Sequence, residues 1–435
     1  MKQGCRFVAT SLLLSIFCMS AMAQTDFGSF FLEGTWAGRE LNPADSLNNK
    51  IEIYLPGIYF ESHHSNQIAL NSVISKSGDQ NVLNVSALLN EFDDENTLEN
   101  NFKVNTIGVG VKIKNFDIDF RHNVRFNSRL DYPKELAKLI FEGNSQYIGE
   151  TVDFGPMVDF MSYHEYGIGI SRSFGPVSLG ARAKYLSGIG LIKTNGSDAS
   201  LFTDNDVYQL TFNTDYTVLS SNTLDINGLS DFTFQNDLAK QFLSSNNGWA
   251  FDLAASFQVT DALRFSASIV DIGSIDWNNE TSSFTSQGSY TYEGFELDDF
   301  LLNDDVEFEI KLDTLEEIFA FQESDTEVNT KLGAKLYLAG QYELTEKIQV
   351  GALLVMNDTD FEGSAYGLNL QYNLGTKSLI GLNYSYRKDS FSNLGIQFLT
   401  RIGPIVIFGN TDNVFSLVSN DNYRFNGRVG LGLSF

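Results

Sequence analysis

The chain has 435 residues, with 55 acidic against 29 basic side chains, a formal net charge of −26 and a pI near 4.4. Phosphate backbones are held by clustered Lys and Arg, so this balance argues against a nucleic-acid partner. Phe (36), Tyr (18) and Gly (36) are abundant and Pro (6) is scarce, a composition suited to many strands; no run of 18 or more apolar residues follows Gln24, which excludes membrane-spanning helices but not a barrel whose strands hide their hydrophobicity in alternation.

In chain order, Lys2 and Arg6 precede an apolar stretch that runs to Met19, and Ala21-Met22-Ala23 supplies small residues at a cleavage site. Residues 1–23 therefore read as a secretory signal peptide cut before Gln24. Both cysteines, Cys5 and Cys18, fall within it, so the mature chain of about 410 residues forms no disulfide. Residues 51–435 read as one barrel domain.

The barrel expectation rests on period two. Phe116, Ile118, Phe120, His122, Val124 and Phe126 alternate with Asp117, Asp119, Arg121, Asn123, Arg125 and Asn127. A strand sends successive side chains to opposite faces, so one face is apolar and the other charged. Val104–Lys114 repeats the pattern with Ile107, Val109, Val111 and Ile113. So do Trp249 to Val259, Ile348 to Leu354, Tyr366 to Tyr372, Ile380 to Tyr386 and Phe425 to Phe435. About fourteen such segments are present, many longer than soluble strands, which predicts a transmembrane antiparallel β-barrel of about 14 strands. A soluble sandwich or solenoid would also alternate. Strand length, aromatics near strand ends and the terminal Phe435, read as an assembly signal for barrel-inserting machinery, favour the membrane.

Between strands, residues 131–143 (Pro133 near the start, Gly143 at the end, Leu136, Leu139 and Ile140 at helical spacing) predict a short helix, and 312–322 a second. Acidic runs at 91–95, 296–305 and 313–327 lie in loops, and no Asp-x-Asp-x-Asp-Gly calcium loop is present. His63, His64, His122 and His164 have no nucleophile or metal motif around them, so no enzyme and no cofactor is expected. Gly-x-Gly pairs at 108/110, 167/169, 188/190 and 430/432 fall on one strand face each, where glycine relieves crowding. Asp117, Asp119, Arg121 and Arg125 are candidate lumen-facing residues. They read either as a selectivity ring or as ion pairs that fill a closed lumen, and neighbouring opposite charges favour the second.

Four short motifs carry a resemblance. Asn42-Pro43-Ala44, Asp271-Ile272-Gly273-Ser274-Ile275-Asp276-Trp277, Thr411-Asp412-Asn413-Val414-Phe415 and Asn426-Gly427-Arg428-Val429-Gly430 resemble the pattern of uncharacterised Bacteroidota outer-membrane barrels. That group is similar to FadL-like transporters and to barrels associated with type IX secretion. The resemblance implies a monomeric outer-membrane barrel whose N-terminal segment, residues 24–50, is plug-like and tucked into the lumen. Asn42, Pro43, Ala44, Asp271, Gly273 and Trp277 are then candidate plug and rim turns. It implies transport of small or hydrophobic solutes, or alternatively a non-transporting anchor that binds a secretion-system or surface partner. Outer-membrane lipid and the barrel-assembly machinery are the other partners expected.

Overall fold

The computed structural model describes residues 26–65, 74–77, 80–221, 224–226, 232–234, 242–292, 321–357, 364–387, 390–415 and 424–435. The signal-peptide expectation for residues 1–23 lies outside them, as does the helix expected at 312–322 except for its last two residues; Gln322 starts a short strand.

Fourteen antiparallel strands close into one barrel. They are β1 (Ile51–His64), β2 (Glu95–Ile113), β3 (Phe116–Pro133), β4 (Met157–Phe174), β5 (Val177–Thr203), β6 (Asn247–Gln258) and β7 (Leu263–Trp277). There follow β8 (Lys335–Thr345), β9 (Ile348–Asn357), β10 (Ala365–Leu374), β11 (Ser378–Arg387), β12 (Ser390–Ile402), β13 (Ile405–Thr411) and β14 (Arg424–Ser434). Each pairs with its neighbour in the chain, and β14 returns to β1 with Glu52 opposite Ser434 and His63 opposite Arg424. Closure removes the free edges that so many strands would otherwise expose.

The alternation expected from sequence sets the two faces. Phe116, Ile118 and Phe120 point outward and are exposed, while Asp117, Asp119 and Arg121 are buried inside. Trp249, Phe251, Leu253 and Phe257 do the same on β6, as do Tyr366, Leu368, Leu370 and Tyr372 on β10. Leu368 is 65% exposed and Val429 59%, members of contiguous outward apolar rows of the kind that mark a membrane or partner surface. Further along β3 the outward row changes character. Val124 and Phe126 are half-buried, and His122 is covered by Phe242 of the loop before β6.

The turns at one end are short: 114–115, 175–176, 346–347 and 403–404. Lys114 (φ 57°), Gly175 (φ 63°) and Gly403 (φ 60°) supply the left-handed residue in three of them. β1 begins and β14 ends at this end, where Phe435 N–H donates to Ile51 O at 2.8 Å. Connections at the opposite end are longer. There β5 continues past the wall, and its residues 191–203 pair with Leu210–Ser221, which pairs with Thr281–Tyr292, which in turn pairs with Gln322–Asp325. The result is a sheet that stands above the barrel rim.

Four helices are described. α1 (Phe27–Phe30) and α2 (Trp36–Leu41) belong to the N-terminal segment. α3 (Val85–Glu91) starts at Asn84, whose side chain accepts from Ala87 N–H. α4 (Lys134–Glu142) is the helix expected after Pro133, ending at Gly143 with φ 76°. Its buried residue is Ala137, packed on Leu89 and Phe92 of the α3 region, while Ile140 is 68% exposed. The apolar face read from the sequence is therefore only partly used, because α3 offers a small partner surface.

Candidate functional site

Residues 26–47 lie inside the barrel and with the wall form the candidate site, while residues 48–50 are exposed and lead out to β1. Asp26 caps α1 by accepting from Ser29 N–H at 3.3 Å, and Thr35 caps α2 by accepting from Gly38 N–H at 3.1 Å. Two such short helices are unstable alone. Packing against the wall holds them. Phe27, Phe30, Phe31 and Leu41 form a cluster with Val270, Tyr337, Ala339, Leu353 and Val355 on β7, β8 and β9. Phe30 stacks on Tyr337 with ring centroids 5.6 Å apart. On the other side Leu32, Trp36, Ala37 and Leu47 pack on Tyr54, Leu399, Val406 and Phe408.

Charges fix the orientation. Asp119 on β3 accepts from Arg39 of α2 at 2.7 Å and from Arg121 at 2.8 Å, and Arg182 of β5 lies 3.4 Å away. Arg182 also meets Asp252 at 3.2 Å and donates to the Arg39 and Glu40 carbonyls. Lys184 bridges Asp252 and Asp271 at 2.7 and 2.6 Å. Arg125 bridges Asp271 and Glu165 at 2.9 and 2.8 Å. Glu40, the one carboxylate of α2, is met by Lys103 and by Arg428. Ions this deeply buried persist only when each is paired, so the network specifies a single seating of the segment.

The lumen-facing residues expected from sequence are all in this network. Asp117 accepts from Leu47 N–H at 3.0 Å, Arg121 donates to Trp36 O at 3.2 Å, and Asp119 and Arg125 pair as above. Inside the barrel they pair with the N-terminal segment as well as with one another. Three of the four motifs meet the N-terminal segment directly, and Asp271 of the fourth joins the charge network beside it. Asn42 accepts from Ala44 N–H at 3.2 Å and donates to Asp45, making the Asn42-Pro43-Ala44 turn. The Pro43 carbonyl lies where a Cβ at Gly180 would be, so only glycine lets the wall approach it. Asp412 accepts from Phe27 N–H and Gly28 N–H, both at 2.8 Å, and Arg428 reaches Asp26 and Glu40. Asp271 takes φ 63°, its N–H bonded to Asp252 at 2.9 Å. Trp277 is fully buried higher in the lumen, donating to Thr330 at 2.7 Å. Gly108 and Gly110 leave room for the Tyr54 ring and Leu47.

Sequence reasoning missed Arg39, Glu40, Glu165, Arg182 and Lys184. Arg182 and Lys184 alternate with Ala181, Ala183 and Tyr185, the same period-two signal as on β3, so the pattern to find them was present. Of the histidines, His122 Nε2 and His164 Nδ1 are 3.1 Å apart, His63 faces Glu99, and His64 meets Tyr132 at 2.8 Å.

Two polar cavities flank the segment. One, of about 90 Å³, lies toward the long-loop end and is lined by Asp26, Glu40, Lys103, Asp271, Lys335 and Tyr337. The other, of about 570 Å³, lies at the short-turn end and is lined by Glu33, Asp45, Asn48, Arg264 and Arg401. Burial pushes Asp45 up to about 6, against the Arg264 guanidinium beside it. Beside the smaller cavity the wall is irregular. β7 pairs with β8 up to Val270–Lys335, and pairing resumes with Ser274–Lys331. Between them stand Asp271 and Gly333, both with positive φ.

The pattern that defines DUF5723, a family of unknown function, matches residues 43–412. No curated protein matches the sequence. Among solved structures, the chain is similar to the deltaS2S3 mutant of the monoaromatic hydrocarbon channel TodX, at 9% identity over 96% of each chain and a TM-score of 0.48. It is similar to the Ralstonia pickettii toluene transporter TbuX at 9% identity, covering 96% of this chain and 100% of that one, TM-score 0.40. A Pseudomonas aeruginosa FadL homologue is matched at 10% identity over 95% and 98% of the two chains, TM-score 0.39.

Proposed function

The chain belongs to the DUF5723 family, and from that footing we propose that it is an outer-membrane transport barrel in which residues 26–50 act as a plug gating the passage of small or hydrophobic solutes. The observation that carries this is the pair of cavities: plug residues line both, so the plug is the barrier between the two ends of the lumen. The exposed apolar band supports membrane insertion, and on this reading the short turns face the periplasm and the standing sheet faces outward. Phe435, at the end of the closing strand, serves as the assembly signal.

The wall irregularity supports an exit for apolar solutes. Val270 and Lys335 line the inner cavity, while Ile269 and Leu336 line an apolar groove on the outer face at the adjacent pair. A solute leaving there would meet hydrocarbon rather than water. A second reading, a non-transporting anchor for a surface or secretion partner, draws on the sheet built by residues 191–221 and 281–292 above the rim.

A reversible lock tests the gate. Ser29 Oγ donates to Asn410 at 2.8 Å, joining plug and wall. With both residues replaced by cysteine in the otherwise cysteine-free mature chain, oxidation is expected to abolish uptake of a small apolar probe into proteoliposomes, and reduction to restore it. Equal uptake in both states would reject a gating role for the plug.

A further inference from the structure

On the outer wall a cation faces the apolar band with no carboxylate beside it among the described residues. Arg172 lies on the outward row of β4 with Ile168, Ile170 and Phe174, three residues before Gly175 of the turn Gly175-Pro176. Its guanidinium is held over the rings of Phe116 and Phe174 at 4.8 and 4.5 Å. Among the described residues it makes no ion pair, and its Nε is buried with no hydrogen-bond partner.

An apolar groove of about 600 Å³ opens beside it. Across the strands, Arg172 stands opposite Leu179, Leu179 opposite Ala255, and Ala255 opposite Ala267. Ala181, Ala255 and Ala267 form the floor where neighbouring outward positions carry Leu, Ile or Phe. Leu253, Ile269 and Leu336 form the far wall. A row of small side chains within a band of large ones leaves a trough, and a cation at its short-turn mouth is positioned where an anionic headgroup meets hydrocarbon.

We propose that this trough binds one phospholipid, its acyl chain lying over Ala255 and Ala267 and its phosphate accepting from Arg172. Charge complementarity and position select the occupant: a neutral apolar solute would leave the guanidinium unpaired, and a phospholipid brings its anion to the headgroup level with an acyl chain to fill the trough. The inference rests on the membrane reading above.

The test is native mass spectrometry on the full barrel, stripped of lipid in detergent and then given phosphatidylglycerol in mixed micelles. Retention of heat-dependent gel mobility checks that each variant is folded. Wild type is expected to keep a single-lipid adduct that survives activation. Arg172→Gln should lower its occupancy about tenfold, the worth of one charge-assisted hydrogen bond. Ala267→Phe should remove it with the charge intact, and Leu431→Phe, on β14 away from the trough, should leave it unchanged. Equal adducts in wild type, Arg172→Gln and Ala267→Phe would show a non-specific lipid shell and overturn the proposal. A folded, heat-modifiable barrel with no adduct would overturn it while leaving the membrane reading standing. A chain soluble without detergent would overturn both.

Discussion

Asp119 accepts hydrogen bonds from Arg39 and Arg121 while Arg182 stands within ion-pair distance, so one carboxylate holds an element of the plug against two strands. Replacing it with Asn keeps the shape and leaves three guanidiniums facing one another without it. Breaking a buried pair costs about 3–5 kcal/mol, so Asp119→Asn should lower the temperature at which the barrel loses its compact gel mobility and should raise the frequency of open states. An unchanged transition would mean that Asp252 alone suffices for Arg182. On the opposite face Phe120 is 39% exposed to the surrounding solvent. Phe120→Lys should cost about 2–4 kcal/mol if that solvent is hydrocarbon, and its insertion into the membrane fraction should fall accordingly; normal insertion would put this row in water. The opposite fates of Asp119 and Phe120 were legible from alternation alone. Which charge partnered which was not, because Arg39 and Asp119 are 80 residues apart and nothing local encodes their meeting.

The elements divide the same way. β3, β6 and β10 were readable because a half-apolar strand repeats every second residue over ten or more positions. The seating of the plug was not, since α1 and α2 are too short for a helical period and their apolar residues resemble any loop's. Only Asn42-Pro43-Ala44 marked the segment, through the family resemblance it carries. α3 escaped for want of length, and the apolar face expected of α4 is half-buried, with Ile140 left exposed. At this scale the plug should respond to pH through Asp45. Burial raises its folded value to about 6, above the ordinary 3.8, so docking gains stability that is fully present below the ordinary value and is lost as pH rises through 6. Open-state frequency should therefore increase between pH 5 and pH 7.5, measured as current bursts across a bilayer, and Asp45→Asn should flatten that dependence. A dependence of the opposite sign would mean that the ion pair with Arg264 outweighs burial.

For the whole molecule, a formal charge of −26 coexists with an interior rich in Arg and Lys. The buried cations largely answer buried carboxylates, so much of the net negative charge lies elsewhere, including acidic positions along the long-loop connections such as Asp204, Asp206, Glu323 and Asp325. A closed barrel with apolar outer rows and a charged interior resembles a soluble protein turned inside out, so alternation rather than overall composition tells its two faces apart. On the proposed reading residues 26–50 close the lumen. Single-channel recording of the intact barrel beside a variant lacking residues 26–47, the tract that lines both cavities and carries Arg39 and Glu40, decides whether they do. The wild type is expected to be closed with rare openings and the variant to conduct steadily; a wild type that conducts like the variant, or a variant that stays shut, would rule the plug out as the barrier.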